Sequence, residues 1–492
     1  MATQPEPLRL VLGVKLRSLR QERGLTLGAV ARRAGLSVSY LSEIEKGAKY
    51  PKPGRMVDLA AALGVPYDDL VSLKVEKPLE DLRAAITSPF LRAFPFELFG
   101  VGRQDVVALM AGVPERAGAM LRAFLEVGRA YDARVEHFLF AALRAYQQMH
   151  ANHFPELERA ADAFRAEAGL DAGSNIDAQT LRRLLVERHG YLVDDTTLPA
   201  HPALHDLRSV YVPGRSPTLY VNGTLRGEQL AFLYARELGF RALGVTERPT
   251  TSSWMRVTSF EQVLANFRAS YFAGALLIPS EAFDADLRAF LRRPAWSAGA
   301  FTEALGRYGA TTEMLFYRLT ERLPAAFGLS ELFFLRFHAP AGADAFHLTK
   351  AFNMSHVPVP HGVDPGEHYC RRWVAMAAAR AVSAGAAGPA VQAQRASFVA
   401  DGAEFFTLAA ARPLALQPGI AAVMLGVRID DTARSVVGFL DDPALLRVPV
   451  GLTCERCGIP DCSLRAAEPS ALRREEHLVL RDEALAGLVG LG

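Results

Sequence analysis

Cys454, Cys457 and Cys462 lie close together in CERCGIPDC, and the fourth cysteine of the chain, Cys370, stands far upstream in HGVDPGEHYC. Four cysteines in 492 residues are too few for a disulfide scaffold. Three of them on one loop, bent by Gly458 and Pro460, are more than the burial of small apolar side chains predicts. A close C-x2-C pair, a third thiol just beyond it and a distant fourth suit an iron–sulfur cluster, being plant-type ferredoxin spacing read backwards. They also suit a structural Zn2+ with four thiolates. Zinc sites commonly bring two such knuckles and this chain has one, so the spacing favours a [4Fe–4S] cluster. Zn2+ and unligated buried thiols are the alternatives. His338, His347, His356, His361 and His368 lie near Cys370 in the sequence and could replace it as a ligand, although scattered histidines are more often structural.

Bringing four thiols together needs folded elements, and the length allows three or four domains. Half of the residues are hydrophobic and 22% are charged, as in ordinary globular proteins. No apolar run reaches the roughly 18–20 residues that span a bilayer. The opening MATQPEPLRLVLGVKLRSLRQ lacks the basic start and continuous apolar core of a secretory signal. The expected compartment is a reducing cytoplasm, where clustered thiols hold metal or do redox work.

The net charge of +2 hides an asymmetry: residues 1–74 carry 12 Lys and Arg against 7 Asp and Glu, a net of +5. That is a modest electrostatic footprint for nucleic acid. Leu8 to Arg23 reads as a helix with Leu12, Leu16 and Leu19 on one face, stopped by Gly24. Thr26 caps a short helix that runs to Ala34, Gly35 supplies the turn, and Ser37 caps a second helix that runs to about Lys46. Two such helices make a helix-turn-helix, whose second helix enters the major groove. Ala31, Leu36, Leu41 and Ile44 supply its core. Thr26, Ser37, Val38, Ser39, Tyr40, Ser42 and Glu43 are the candidates for reaching DNA, and Lys46, Lys49 and Lys52 for phosphate contacts. The tract AGLSVSYLSEIEKG, continued through PKPGRMVDLAAALGVPYDDLVSL, resembles the Xre/Cro-type helix-turn-helix domain. The competing reading is a small helical bundle used for protein contacts.

Leu82 to Arg165 reads as packed helices, with FLFAALRAYQQMH as core rather than a ligand box. The strand candidates YLVDD, RSVYVP and TLYVNG follow, then GEQLAFLYARELGFRAL and FEQVLANFRASYFAGALLIP. This order resembles the ImmA/IrrE-type metallopeptidase fold. In that family the first helix carries two zinc-binding histidines at i and i+4 around a general-base glutamate, and a later glutamate completes the site. Here the histidine positions hold Arg236 and Phe240, Glu237 remains, and the later acidic position is Leu264. Arginine and phenylalanine cannot ligate zinc, and without zinc Glu237 has no polarised water to deprotonate. The expectation is a degenerate peptidase site without catalysis. Glu237 and Arg236 then read as a surface ion pair, or as the rim of a cleft that binds an anion.

From Glu331 onward ELFFLRFHA, AFHLTKAFNM and IAAVMLGVRID read as buried strands and RRWVAMAAARAVSAG as a helix. The ending VGLTCERCGIPDCSLRA resembles the C-terminal domain of the short-chain fatty acyl transcriptional regulators, which combine the three units found here in this order. The resemblance implies a regulator of propionate- or acetate-type acyl metabolism that senses an acyl-CoA-type effector; the clustered cysteines, read as cluster ligands, add redox state as a second expected input. The expected fold is multidomain and mainly α with α+β parts. It has a five-helix helix-turn-helix domain at 1–75, a helical linker at 76–175, a peptidase-like α+β domain at 176–330 and a cysteine-bearing α+β sensor domain at 331–492. The expected partners are operator DNA, the effector and a second copy of the chain, with no membrane. The alternatives are a site-specific metalloprotease acting on a repressor, and a redox sensor with no small-molecule effector.

Overall fold

Thr26 and Ser37 each turn the chain into a short helix. The Thr26 hydroxyl accepts a hydrogen bond from Ala29 N (3.2 Å) and the Ser37 hydroxyl one from Tyr40 N (3.1 Å). Each satisfies a donor that a helix start leaves open. The computed structural model describes residues 6–71, 95–100, 135–170, 175–251, 257, 259–342, 345–355, 366–385 and 389–489. It forms two compact units, residues 1–146 with 256–263, and residues 147–255 with 264–492.

In the first unit five helices follow one another: α1 (Glu6–Glu22), α2 (Leu27–Arg33), α3 (Val38–Glu45), α4 (Pro53–Leu63) and α5 (Tyr67–Val71). Between α2 and α3, Gly35 has a φ of 60°, a region that side chains with a Cβ avoid. Leu12, Leu16, Ala31, Leu41, Ile44 and Leu59 are buried together, with Leu19 and Leu36 partly buried at the edge. Arg20 of α1 forks onto both oxygens of Glu45 (2.7 and 2.9 Å) and reaches the Leu25 carbonyl (3.1 Å). This pair clamps α1 to the end of α3. The helical reading of Leu82 to Arg165 lies largely outside the described residues. Within them, α6 (Val135–Met149) and α7 (Pro155–Glu167) are helices, and Leu139 and Tyr146 are buried as expected.

In the second unit the strand candidates form a three-stranded sheet of order β1-β3-β2: β1 (Leu192–Asp194), β2 (Ser209–Val212) and β3 (Thr218–Val221). β1 is parallel to β3 and β2 antiparallel to it. Helices α8 (Ala178–His189) and α10 (Gly227–Ala242) pack together, with the single turn α9 (Thr197–Ala200) between them in sequence. Then come α11 (Phe260–Leu277), α12 (Ser280–Leu291), α13 (Ala298–Gly306) and α14 (Thr312–Phe327). Arg318 of α14 is fully buried; it forks onto Glu158 of α7 (2.6 and 2.7 Å) and holds Glu321 (2.8 Å).

A six-stranded sheet follows, ordered β5-β4-β8-β7-β6-β9. Its strands are β4 (Leu332–Ala339), β5 (His347–Asn353), β6 (Ala390–Phe398), β7 (Glu404–Pro413), β8 (Ile420–Arg428) and β9 (Arg447–Val450). Neighbours are antiparallel except β6 and β9. Helix α15 (Val374–Ser383) lies on β6, β7 and β8. Phe333, Leu335 and Phe337 join its cluster, whereas the Phe334 ring stacks edge-on against Tyr317 of α14 at 5.0 Å. Burial on both faces explains the unbroken apolar run Leu332–Leu335; Arg336 and His338, further along β4, are only partly buried. AFHLTKAFNM corrects the expectation of a buried strand: β5 is the sheet's edge, and Phe352 is its only buried residue. Charged and polar side chains suit an edge, where open backbone groups invite pairing. The described chain ends with α16 (Asp431–Val436) and the long α17 (Ser470–Val489). The multidomain, mainly helical arrangement with α+β parts is the one expected. Among the described residues no helix is long and apolar enough to cross a membrane.

Candidate functional site

Three constellations carry chemistry, one in the first unit and two in the second. In the first, the caps start α3 so that Ser37, Val38 and Ser39 are exposed, and Val38 keeps half of its surface although it is apolar. Thr26, Lys46, Lys49 and Lys52 are exposed as well, while Tyr40, Ser42 and Glu43 are half-buried along α3. Lys49 lies 2.7 Å from the Glu43 carboxylate and 5.7 Å above the Tyr40 ring, so part of its charge is already answered within the protein. The sequence reading passed over Arg32 and Arg33, exposed in the last turn of α2, and Arg55, exposed beside the Gly35 turn. Their only signal was charge next to a turn. This surface offers short polar side chains on an accessible helix with cations around it, which suits a DNA groove and its phosphates.

The second constellation centres on α10. Glu237 is buried, not at the surface, and its partner is not Arg236. Arg248 forks onto both of its oxygens (2.5 and 2.6 Å) and the Tyr191 hydroxyl donates to it (2.7 Å). The Arg248 guanidinium lies between the Tyr211 ring at 3.8 Å and the Phe240 ring at 4.0 Å. Such sandwiching stabilises a cation away from water. Arg236 is also buried; it makes one long hydrogen bond to Ser209 Oγ (3.4 Å), and burial pushes its pKa down to about 10. Leu264 is buried in α11. The surface-pair expectation fails because α10 is enclosed, and a buried carboxylate must find a cation. It finds one in a loop residue that α10's own sequence could not reveal. With its lone pairs engaged by Arg248 and Tyr191, Glu237 is not placed to take a proton from water.

The third constellation is built by a short stitch of backbone. Cys454 N donates to the His368 carbonyl (2.8 Å), Cys370 N donates to the Leu452 carbonyl (3.0 Å), and Tyr369 bridges Thr453. Glu367 takes the Thr453 hydroxyl (2.6 Å) and the Arg456 guanidinium (2.6 Å), locking the stitch from outside. Trp373 Nε1 donates to the Gly451 carbonyl (2.8 Å). Arg465 folds back over the loop onto the carbonyls of Cys454, Cys457 and Ile459. As a result Cys370, Cys454, Cys457 and Cys462 all line one small, partly open pocket, shared with Arg371, Arg372 and Arg465. None of the four is in a disulfide. Cys370, Cys454 and Cys457 are buried.

The residues present fit a thiolate-held group. Backbone N–H groups point at two of the sulfurs: Gly451 N lies 3.4 Å from Cys370 Sγ, and Ala466 N 3.4 Å from Cys454 Sγ. At Gly451 a Cβ would stand 2.8 Å from Cys457 Sγ, so the loop closes this tightly only over glycine. Burial, with the neighbouring thiols adding to it, pushes the Cys370 thiol up to about 11, and a bound cation reverses that logic by stabilising the thiolate. Among the described residues no group of three or more His, Cys, Asp or Glu side chains is set to hold a metal ion. Of the candidate histidines, His368 is engaged with Glu455 (2.8 Å), and His338 and His347 face each other across β4 and β5. None of these lines the cavity. His356 and His361 lie outside the described residues.

Residues 11–73 match the family model described as a helix-turn-helix domain. The propionyl-CoA carboxylase regulator of Cereibacter sphaeroides is 25% identical over 353 residues, 67% of this chain and 68% of its own. The HTH-type transcriptional regulator PrpR of Mycobacterium tuberculosis is 27% identical over 488 residues, 93% of this chain and 92% of its own. The uncharacterized HTH-type transcriptional regulator y4dJ of Sinorhizobium fredii is 39% identical over 71 residues, 14% of this chain and 92% of its own. By name these relatives are transcriptional regulators, not enzymes. A match to nearly the whole of the last, over the helices whose caps and exposed face are described above, places the protein: the chain belongs to the HTH-type transcriptional regulators, with a helix-turn-helix of the Xre type.

Proposed function

We propose that this regulator controls genes of short-chain acyl metabolism, of the propionate or acetate kind, in the cytoplasm, and that it responds to an acyl-CoA-type effector and to redox state. The observation that carries the redox part is the convergence of all four cysteines on one cavity. In this reading Cys370, Cys454, Cys457 and Cys462 hold a [4Fe–4S] cluster. Arg371, Arg372 and Arg465 offset its negative charge, and the Gly451 and Ala466 amides brace two of the sulfurs. A bound cluster supplies one-electron redox chemistry. The chain's part is to hold the thiols, limit solvent and connect the loop to the rest of the unit. The acyl part rests on the printed name of the Cereibacter sphaeroides relative and on the sequence resemblance. Operator contact runs through Thr26, Ser37, Val38, Ser39, Tyr40, Ser42 and Glu43, with Lys46, Lys49 and Lys52 on phosphates. We read α10 and α11 as a peptidase-like core in which Arg248 stands where a metal would otherwise answer Glu237, and we retain the division at 75, 175 and 330.

The test is anaerobic purification of the wild type and Cys457→Ala, with an absorbance spectrum and iron, sulfide and zinc counts. A broad visible band whose iron and sulfide are lost in the variant supports the cluster. Colourless protein with about one zinc per chain would make the loop a structural clip and leave the effector as the only signal. Titration of the DNA complex with acyl-CoA esters of increasing chain length tests the effector, and no shift at any length would sink it.

A further inference from the structure

Strand β2 is an edge of the three-stranded sheet, and its outer side is covered by the chain's own return from α10. Tyr211 N donates to the Thr250 carbonyl (2.7 Å), and Val210 bridges Thr251 in the antiparallel sense. At the near end Val245 N donates to the Phe240 carbonyl of α10 (2.9 Å). Between these ties residues 245–251 form a strap. Thr246, Glu247 and Thr250 are exposed, and Pro249 has no N–H to give. One side chain points inward. Arg248 keeps 10% of its side-chain surface, forks onto Glu237 and lies between the Tyr211 and Phe240 rings. The pocket is braced from behind: Arg241 Nε donates to the Tyr191 hydroxyl (2.8 Å), which donates to Glu237.

The wall of this pocket comes from other elements: Tyr191 just before β1, Tyr211 on β2, Glu237 and Phe240 on α10. The strap supplies the occupant. A strand edge beside an anchor pocket is how a groove holds an extended peptide, with backbone bonds along the edge and specificity from the pocket. The pocket selects its guest by chemistry. A buried carboxylate calls for a cation, its two oxygens accept a fork, and two ring faces stack on a planar group. A guanidinium meets all three demands and an ammonium only the first. We propose that β2 and α10 form a docking groove for an extended, arginine-bearing segment of a partner protein, and that residues 245–251 fill it in cis as a competitor. Tethered to α10, the strap has an effective concentration in the millimolar range, so a partner must displace it. The partner's arginine takes the place of Arg248, so the exchange ends with Glu237 still paired. The groove needs neither the cluster nor the acyl-type effector.

The probe is a labelled peptide of residues 245–251, Val-Thr-Glu-Arg-Pro-Thr-Thr, titrated with the full chain and read by fluorescence anisotropy. Arg248→Ala, which lacks the cis arginine, should bind it. The wild type should bind about ten- to a hundredfold more weakly, because its own strap competes. A peptide with alanine at the arginine position should bind neither, and one with lysine there should bind Arg248→Ala about tenfold more weakly. Glu237→Gln combined with Arg248→Ala should bind none of the three. Arg248→Lys keeps a cation on Glu237 and so serves if Arg248→Ala does not fold by circular dichroism; it should bind the peptide more tightly than the wild type does. Folded variants that fail to bind, equal binding by variant and wild type, or binding indifferent to the peptide's arginine would each overturn the proposal. So would a wild type that binds nothing at about 5 mM peptide, since the strap would then be a permanent plug.

Discussion

Replacing Arg248 by alanine should cost the second unit about 3–5 kcal/mol, the usual loss when one partner of a buried ion pair is removed. The structure sets the scale. Glu237 retains 2% of its side-chain surface and Arg248 10%, so water cannot replace the guanidinium. Tyr191 would remain as the only hydrogen-bond donor to the carboxylate among the described residues. The lost contacts to Tyr211 and Phe240 add about 1–2 kcal/mol more. The double substitution Arg248→Met with Glu237→Leu removes both charges and should recover most of the loss, because an apolar pair needs no compensation. Two of the three tryptophans, Trp296 and Trp373, fall in the second unit, so intrinsic fluorescence in urea reports on that unit. The slope should stay constant across the series if only stability changes. If Arg248→Ala costs less than about 1 kcal/mol, the carboxylate has another cation or reaches water. The account of Arg248 as its obligatory partner would then be wrong.

Three further outcomes can be checked. Gly451→Ala pushes a methyl to 2.8 Å from Cys457 Sγ and 3.0 Å from its Cβ. It should cost about 1–3 kcal/mol, read by thermal melting, and under the proposed cluster assignment it should lower the iron bound per chain, read by iron assay. Burial lifts Glu321 from the ordinary 4.5 to about 7, against the pull of Arg318. A carboxyl raised in the fold contributes stability that is full below the unfolded value and is lost as pH rises through the folded one. The urea midpoint of the wild type should therefore fall relative to Glu321→Gln between about pH 5 and pH 8, and parallel profiles would refute the assignment. Lys46→Ala and Lys52→Ala should each reduce the slope of log K against log salt for DNA by about 1. Lys49→Ala should reduce it less, because Glu43 already engages that lysine.

What the sequence revealed was local, and what it concealed was not. Thr26, Gly35 and Ser37 announce their roles because caps and turns are decided within a few residues. YLVDD, RSVYVP and TLYVNG read as strands for the same reason, being β-branched and aromatic runs between turn residues. The alanine-rich β6 and β7 escaped notice because alanine is a poor strand former, and only the cover of α15 and neighbouring strands makes those segments a sheet. Arg248 was invisible because its partner lies on another element and nothing near it in sequence signals burial. The cysteines showed their spacing but not their meeting: that depends on the stitch between residues 368–370 and 452–454, which no periodicity records.

Helix α17 has 20 residues and so extends about 30 Å from its base. Its first amides are tied to the backbone of Glu455, between two of the cysteines. It is in effect a lever whose fulcrum is the cysteine loop. A tilt of about 10° at that fulcrum would carry the far end through about 5 Å, roughly one helical turn. A change at the loop too small to alter the fold around it would then be large at the far end of the helix.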